Sequence, residues 1–500
     1  MDIQIKNFGP IAEGDVSIKP LTIFIGPNNT GKSYAAVLVW CLYSAFNNLH
    51  ITPWGLPIHL RRKRFTRSRV KEEPLRFFRE DNRAVDAWIN GAIGTLKKDG
   101  KFESEIPEDI LLDIHLNMFH LFTELLNEEI SRAFASNLKN MVRLKTRSFS
   151  FVIDFNGFTL SLEYANNQLN LLSIEGITNR TLKIHLNTTT KDERWAIRTK
   201  KATLKNIEID INPQFIKEVP HEILVSDIQE VLTQNILERY MEQMMRECYY
   251  LPAARSGILQ GHKAVSAAII SEAPLAGLRK IEIPTLSGIT ADFIISLIEL
   301  EPISERKSNL EEVIKPIEKD IIKGKISIQQ IKHLYPEFAY EYQGLSLPLH
   351  RTSSMVSELA PIVLYLRHLV DKDDILIIEE PEAHLHPEMQ RILAGVITLL
   401  IRNGVNVLIT THSDYLIEQI SNFIKMSKIK EKDRVSMGYT KDDFLKPGEV
   451  SVHLFKYRDK EGTITEKLKV GREGIPQEEF GKVAQSLYEE KVKLQRKLGG

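Results

Sequence analysis

Residues 26–33 read Gly26-Pro27-Asn28-Asn29-Thr30-Gly31-Lys32-Ser33, with the spacing G-x-x-x-x-G-K-S. The apolar run Leu21 to Ile25 before this loop predicts a buried strand, and the stretch Tyr34 to Phe46 after it favours a helix. A glycine loop between a strand and a helix is typical of phosphate binding, because its N–H groups and the helix N-terminus surround the phosphates while the lysine neutralises β/γ oxygens. We therefore expect all eight residues to bind ATP, with the Ser33 hydroxyl also a ligand of Mg²⁺.

Length, composition and charge limit the class of protein. The chain has 500 residues, 43% of them hydrophobic and 26% charged, which is the balance of a globular protein with two or three domains. The formal net charge is zero, so any attraction to nucleic acid must come from a local patch. The two cysteines, Cys41 and Cys248, are too far apart in sequence for a metal-ligand spacing and fit a reducing compartment.

No stretch predicts a membrane segment. The longest apolar run of the C-terminal half, Ile392 to Ile401, is about half of what a bilayer span requires. The N-terminus lacks the basic-then-apolar pattern of a signal peptide. We expect a cytoplasmic protein without membrane contact.

Basic residues are concentrated after the helix predicted to follow the glycine loop 26–33, which has the spacing of a P-loop. Seven lie in the eleven residues from Arg61 to Lys71, and aromatic residues such as Phe65 are interleaved with them. One interpretation is a nucleic-acid contact, because Lys and Arg displace counterions from phosphates. A solvated loop or a contact with an acidic partner explains the cluster equally well.

The residues that follow predict an inserted subdomain. Helical periodicity runs from Glu108 to Phe134, and the period then changes to two around the tight turn Asn156-Gly157, which predicts a hairpin. Strand patterns at Leu182–Leu186 and Ile207–Ile211 are expected to extend this hairpin into a small sheet, and a helix is predicted from His221 to Glu247. The expected segments are a head N-terminal lobe (1–50), the insertion (51–247), a return to the head with a short helical arm (248–324) and a head C-terminal lobe (325–500).

A second buried strand delivers carboxylates. The run Ile375 to Ile378 ends in Glu379-Glu380-Pro381-Glu382, the arrangement of a Walker B strand at the carboxyl edge of a parallel sheet. We assign Glu379 to Mg²⁺, directly or through water, and Glu380 to orienting the attacking water. A further apolar strand, Val405 to Ile409, precedes Thr410-Thr411-His412-Ser413, and His412 is placed to hydrogen-bond a γ-phosphate.

Together these motifs resemble a family. The order of the P-loop, Ser353-Ser354-Met355-Val356-Ser357-Glu358-Leu359, Glu379 to Pro387, and Thr411-His412-Ser413 is similar to the ATP-binding-cassette ATPases of the SMC, RecF and OLD group. The resemblance covers roughly residues 1–50 and 325–457. It implies an α/β ABC-type P-loop ATPase head, with a mixed sheet and helices, that carries the inserted helical and small β subdomain.

The resemblance also implies a mechanism. In that family two heads enclose ATP, and the signature loop of one protomer contacts the γ-phosphate held by the P-loop of the other. By resemblance, Ser353 and Ser354 bind nucleotide in trans, Glu380 is the catalytic acid, His386 lies in the loop that links the two sites, and His412 is the switch histidine. Two residues depart from the pattern, since Met355 replaces a signature glycine and Glu379 replaces an aspartate. Slow hydrolysis or switch-like use of ATP is therefore expected.

The biological role suggested by the resemblance is regulatory. OLD-type nucleases carry a nuclease domain after the head, but under ninety residues follow His412 and they contain no acidic metal cluster. The chain is therefore similar to the stand-alone ATPase subunits of two-gene prokaryotic anti-phage systems such as PARIS, Septu and retron-associated systems. These would oligomerise and control a nuclease or toxin effector encoded nearby, in response to DNA or a phage protein. Alternatives are a RecF-like repair ATPase that clamps DNA and a nucleotide-gated scaffold with little hydrolysis.

Overall fold

The computed structural model describes residues 1–49, 83–155, 157–187, 197–203, 205–241, 244, 246–261, 286–300, 309–329, 336–459, 461–476 and 478–497. The basic cluster from Arg61 to Lys71 and the turn residue Asn156 lie outside these residues. The chain divides into two compact units. Unit 1 contains residues 1–41, 130–149 and 247–500, and unit 2 contains residues 42–129 and 150–246.

The strands of the described residues are numbered in chain order. They are β1 (Asp2–Phe8), β2 (Ile11–Ser17), β3 (Leu21–Ile25), β4 (Lys101–Glu105), β5 (Phe149–Asp154), β6 (Thr159–Ala165), β7 (Gln168–Glu175), β8 (Thr181–Leu186), β9 (Ile197–Ala202), β10 (Asn206–Ile211), β11 (Cys248–Leu251), β12 (Lys325–Gln329), β13 (Glu337–Tyr342), β14 (Leu345–Pro348), β15 (Ile375–Glu379), β16 (Asn406–Thr411), β17 (Val450–Arg458) and β18 (Gly462–Leu468).

The helices are cited by their bounds. They are Lys32–Asn47, Arg83–Asp99, Glu108–Ala133, Pro213–Glu218, His221–Met241, Gly288–Ile298, Glu311–Pro316, Ser354–His368, Pro387–Arg402, Asp414–Met426, Glu431–Ser436 and Glu478–Lys497. Within the described ranges, no helix combines the length and the apolar character needed to cross a bilayer.

The large sheet of unit 1 is mixed. Its strand order is β11-β15-β16-β3-β17-β18-β2-β1. The pairs from β11 to β17 are parallel, whereas β17–β18 and β1–β2 are antiparallel. All five residues of β3 and of β15 are buried, as expected for parallel strands covered on both faces. The α/β fold class predicted from the sequence, a mixed sheet with helices, is confirmed.

The helices of unit 1 cover this sheet with apolar faces. The helix Ser354–His368 buries every residue from Val356 to Leu366, and Pro387–Arg402 buries Leu393, Val396, Ile397 and Leu400. These residues join one core with Leu21, Ile23 and Ile25 of β3. A small three-stranded sheet, β12-β13-β14, leads into the helix Ser354–His368. The central strands therefore lie in a layer that apolar helix faces cover.

Unit 2 combines helices with two groups of strands. The strands β5-β6-β7 follow one another, and β4-β8-β10-β9 form a separate four-stranded sheet. The predicted helix near 108–134 is confirmed as Glu108–Ala133, and the helix predicted from His221 ends at Met241. The expectation that Leu182–Leu186 and Ile207–Ile211 extend the hairpin is wrong. These segments pair in parallel with each other as β8 and β10, and β4 pairs with β8 on the other side.

Candidate functional site

Four parallel strands of unit 1 end at one edge of the sheet. The register pairs Leu251 of β11 with Ile378 of β15, Glu379 with Thr410 of β16, and Thr411 with Ile25 of β3. The P-loop, Glu379-Glu380, Thr411-His412 and the segment after Leu251 therefore leave the sheet side by side. The carboxyl edge of a parallel sheet is where α/β proteins place their sites.

The backbone of the P-loop requires its glycines. Gly26 has φ +136°, and a Cβ there would lie 2.3 Å from the carbonyl oxygen of Phe455 on β17. Gly31 has φ +91°, and its Cβ would lie 2.8 Å from Cγ of Pro10. Thr30 donates its hydroxyl to the Pro27 carbonyl at 2.8 Å, which closes the turn. Pro27, Asn28, Asn29 and Ser33 are exposed at the rim of this loop.

Lys32 is the buried cation of the loop. Its ammonium donates to the carbonyl oxygens of Gly26 at 2.9 Å and Pro27 at 2.7 Å. Burial lowers the pKa of Lys32 to about 8, and the carboxylates of Glu380, Glu379 and Glu382 oppose the shift. The structure thus brings the lysine of the first motif into the electrostatic field of the carboxylates of the second.

The end of β15 presents two adjacent carboxylates in different settings. Oε2 of Glu379 accepts the N–H of Ala253 at 3.1 Å, and Oε1 is buried without a hydrogen-bond partner among the described residues. The hydroxyl of buried Tyr250 lies beside Glu379, and burial followed by the charge of Glu379 raises the pKa of this tyrosine. Glu380 has the left-handed φ of +44°, with its N–H donated to the Thr410 carbonyl at 2.9 Å.

His412 is held through its backbone. Oε1 of Glu382 accepts the Thr411 hydroxyl at 2.6 Å and the N–H of His412 at 2.9 Å. Burial raises the pKa of Glu382. The imidazole of His412 is exposed, and its pKa is lowered by desolvation and by Lys32, with Glu380 acting in the opposite direction. Glu382 therefore fixes the loop that carries His412, a role that the local sequence motif does not indicate.

The segment Ser353-Ser354 begins a helix. Ser353 is the N-cap, and its hydroxyl oxygen accepts the N–H of Val356 at 3.4 Å. Both serines are exposed, whereas Met355 is half-buried and packs against the core. Across the described residues, no hydrogen bond joins these serines to the P-loop of the same chain. Within one chain they are therefore presented outward rather than gathered with Lys32.

Arg255 was not singled out from the sequence. It follows β11, is fully buried, and lies 3.3 Å from Oε2 of Glu358 through its Nε. Its Nη1 donates to the Glu379 carbonyl at 2.7 Å and its Nη2 to the Glu380 carbonyl at 3.3 Å. One sequence feature could have indicated Arg255. It is a charged residue shortly after the apolar run Tyr249-Tyr250-Leu251, just as Glu380 is a charged residue directly after β15.

The donor set fits a magnesium nucleotide. Oε1 of Glu379 is a buried carboxylate oxygen that makes no hydrogen bond within 3.5 Å among the described residues, so it can serve as a ligand. The described residues contain no group of three or more His, Cys, Asp or Glu that would hold a metal alone. Mg²⁺ typically takes one or two protein oxygens and completes its shell with phosphate and water, so Ser33 and Glu379 suit it better than a metal that needs a protein cage.

Comparison with known proteins identifies the family. The model of the AAA ATPase domain family AAA_15 matches residues 1–417, which include the P-loop, the signature segment, β15 and His412. The chain belongs to this ATPase-domain family. No curated protein matches the sequence.

Among solved structures, 133 chains match, and SMC head domains are among them. An SMC head bound to the C-terminal winged-helix domain of ScpA is 9% identical, with 94% of this chain and 98% of that chain covered and a TM-score of 0.36. A head with an extended coiled coil bound to the C-terminal domain of ScpA, from Pyrococcus furiosus, is 10% identical over 98% of both chains, with a TM-score of 0.35. The SMC head of Thermotoga maritima is 9% identical over 94% and 98%, with a TM-score of 0.32.

Proposed function

We propose that this AAA-family chain binds and hydrolyses MgATP at the carboxyl edge formed by β3, β15 and β16. The supporting observation is that Lys32 shares one electrostatic environment with Glu380, Glu379, Glu382 and His412. The backbone N–H groups of Gly26, Asn28, Asn29, Thr30 and Gly31 donate to phosphate, Pro27 lines the loop without a donor of its own, and Lys32 supplies the charge. Ser33 and Glu379 hold Mg²⁺, which neutralises developing phosphate charge when bound.

Glu380 is the proposed catalytic carboxylate. Its left-handed backbone is held by the N–H bond to Thr410 and by Arg255 on its carbonyl, so the side chain projects from a fixed point. Such positioning is most of what phosphoryl transfer requires from a protein. Desolvation and the charge of Lys32 lower the pKa of exposed His412, and its imidazole can donate a ring N–H to the γ-phosphate.

The proposed site is completed by a second copy of the chain. Ser353 and Ser354 are exposed at a helix N-terminus, where hydroxyl and N–H groups favour an anion. They make no hydrogen bond to the P-loop of their own chain, as far as the described residues go. A head-to-head pair would place them on the nucleotide of the partner.

The proposed biological role is that of a cytoplasmic sensor or regulatory subunit in prokaryotic anti-phage defence, similar to the AriA ATPase of the PARIS system. It would control a nuclease or toxin effector encoded nearby and respond to DNA or a phage protein. Support comes from the motif order and from the departures at Met355 and Glu379, which suit ATP used as a switch. Met355 places a bulky, half-buried side chain where a glycine would let the backbone approach phosphate closely.

The regulatory role is tested by capture of the neighbouring gene product. Purified Glu380→Gln chain with MgATP, which we expect to stay paired, is compared with Lys32→Ala chain, which we expect to lack nucleotide. The proposal predicts that the effector binds one of these two forms at least about tenfold more tightly, a coupling of roughly 1.4 kcal/mol. Equal affinity of both forms, or binding to neither, would contradict control by ATP.

A further inference from the structure

Arg255 is a buried cation in unit 1 to which the proposed ATP site assigns no contact with nucleotide or metal, only a hydrogen bond to the Glu380 carbonyl. Its relative exposure is 0%, and burial lowers the pKa of its guanidinium while the charge of Glu358 opposes that shift. A buried charge is retained only where its hydrogen bonds are satisfied. The partners of Arg255 therefore indicate what it holds in place.

One side of the guanidinium holds the end of β15. Nη1 donates to the Glu379 carbonyl at 2.7 Å and to the Pro252 carbonyl at 3.1 Å, and Nη2 donates to the Glu380 carbonyl at 3.3 Å. Glu380 has a left-handed φ, which costs a residue with a side chain free energy unless its surroundings fix it. Arg255 thus restrains the backbone from which both proposed site carboxylates project.

The other side of the guanidinium holds the signature helix. Nε donates to the Glu358 backbone carbonyl at 3.1 Å and lies 3.3 Å from the Glu358 carboxylate. The same carboxylate accepts the N–H of Ser256 at 3.1 Å and its hydroxyl at 2.8 Å. Glu358 is 0% exposed and lies one turn after Ser354, so this contact fixes the start of the helix Ser354–His368.

We propose that Arg255 is a positioning residue that couples the carboxylates of one ATP site to the signature segment serving the other ATP site. The inference rests on the proposed head-to-head pair. In the proposed pair, Glu379 and Glu380 act on the nucleotide held by the P-loop of their own chain, whereas Ser353 and Ser354 reach the nucleotide of the partner. The Arg255 guanidinium contacts both the end of β15 and the helix Ser354–His368, so it would transmit movement of this helix to the end of β15.

Lysine cannot replace Arg255 in this role. Arginine offers five N–H donors in a planar fork, whereas lysine has one ammonium on a flexible stem. Arg255 uses Nε, Nη1 and Nη2 on different partners at once. Arg255→Lys therefore keeps the charge and removes the simultaneous contact with both elements.

The test uses two complementary chains. A Lys32→Ala chain supplies only a working signature, and a Ser354→Arg chain supplies only a working P-loop, because an arginine at exposed Ser354 blocks approach of the partner. Mixed together, they form one complete site. Arg255→Lys is then introduced into either chain in turn, and ATP turnover of the mixture is measured.

A coupling role predicts that Arg255→Lys lowers turnover by about tenfold or more from either chain, with the MgATP Kd of the P-loop chain changed by less than about threefold. A loss from the P-loop chain alone would reduce Arg255 to a local support of β15, and a loss from the signature chain alone would reduce it to a helix support. Either result overturns the coupling. If the mixture of Lys32→Ala and Ser354→Arg chains shows no ATP turnover while the wild-type chain does, the shared site is overturned, and the coupling with it.

Arg434→Lys is the matched control. Arg434 is also buried and also donates to three carbonyl oxygens, those of Met426, Ile429 and Lys441. Within the described part of the chain it makes no hydrogen bond to β15 or to the helix Ser354–His368. The variant Arg434→Lys measures how much stability is lost when a buried arginine is replaced by lysine. We expect Arg434→Lys to lower the thermal stability about as much as Arg255→Lys does. We expect it to leave ATP turnover of the mixture unchanged, whichever of the two chains carries it.

A second variant and a second readout make the test independent of folding and of turnover. Glu358→Gln keeps an acceptor for Ser256 and removes the charge facing Arg255. In a Glu380→Gln background, light scattering with MgATP measures pairing directly. We expect Glu358→Gln and Arg255→Lys to weaken pairing by a similar factor, about fivefold or more, and the double variant to be no weaker than either. Additive losses would contradict a shared coupling unit.

Discussion

At the scale of single residues, Lys32 is a basic side chain that is buried. Its pKa of about 8 lies below the ordinary lysine value of 10.5 because burial disfavours the ammonium more than the three nearby carboxylates favour it. Between these two values the unfolded chain binds more protons than the folded chain, so the Lys32 contribution to stability rises with pH through that window. Below pH 8 the cost of burying its charge is fully present.

We predict that ATP binding takes up a proton above pH 8, because phosphate requires the ammonium form of Lys32. At pH 8.5 a pKa of about 8 leaves roughly three quarters of the lysine neutral, so uptake of about 0.7 proton is expected, against roughly 0.1 at pH 7. Calorimetry in buffers of different ionisation enthalpy measures this number. Lys32→Arg keeps its charge at both pH values and should show no such uptake, and a wild-type chain that behaves like it would contradict the predicted linkage.

The sequence predicted the local parts of the site and missed the dispersed parts. The P-loop and the carboxylates of β15 are short motifs whose spacing carries the chemistry, so Lys32 and Glu379 could be named. Arg255 and Glu358 lie 103 residues apart and meet only because β11 pairs with β15 beside the signature helix. No local pattern marks such a pair, although a charge shortly after a buried strand was a signal for Arg255.

At the scale of elements, the P-loop depends on the strand beside it. The carbonyl of Phe455 on β17 occupies the space that a side chain at Gly26 would need. The glycine is thus required by the packing of two parallel strands as well as by its own φ of +136°. The proposed phosphate-binding loop and the geometry of the sheet are therefore linked at this residue.

We predict that Gly26→Ala lowers the free energy of unfolding by about 1–3 kcal/mol and removes measurable ATP binding, because the loop must move to relieve the clash. Gly94→Ala is the matched control, since Gly94 is exposed within the helix Arg83–Asp99 and a Cβ there meets nothing within 4 Å. It should raise stability by about 0.5–1 kcal/mol and leave ATP affinity unchanged. Denaturant unfolding and calorimetry measure both. ATP affinity retained by Gly26→Ala would refute the proposed cradle.

Elements were predicted better than their pairing. Alternating apolar residues gave strands at 182–186 and 207–211, and both are present as β8 and β10. Their assignment to the hairpin failed because alternation defines a buried face and not a neighbour. Strand β9 separates them in sequence but pairs on the far side of β10, so the parallel partners β8 and β10 are not adjacent along the chain. Proximity in sequence was therefore a poor guide.

At the scale of the whole molecule, unit 1 contains every proposed site residue. The P-loop, Ser353-Ser354, Glu379-Glu380 and His412 all fall within residues 1–41 or 247–500. The family match to an ATPase domain extends over residues 1–417 and thus includes them. The proposed nucleotide chemistry therefore lies within unit 1.

The central claim is that this chain hydrolyses ATP with Glu380 as its catalytic carboxylate. The most direct measurement compares MgATP binding and ATP turnover of the wild-type chain with those of Glu380→Gln. The amide preserves shape but cannot polarise water, so we predict a Kd within about threefold of wild type and turnover reduced by about a hundredfold or more. Undiminished turnover by Glu380→Gln, or a wild-type chain that binds MgATP without hydrolysing it, would contradict the account.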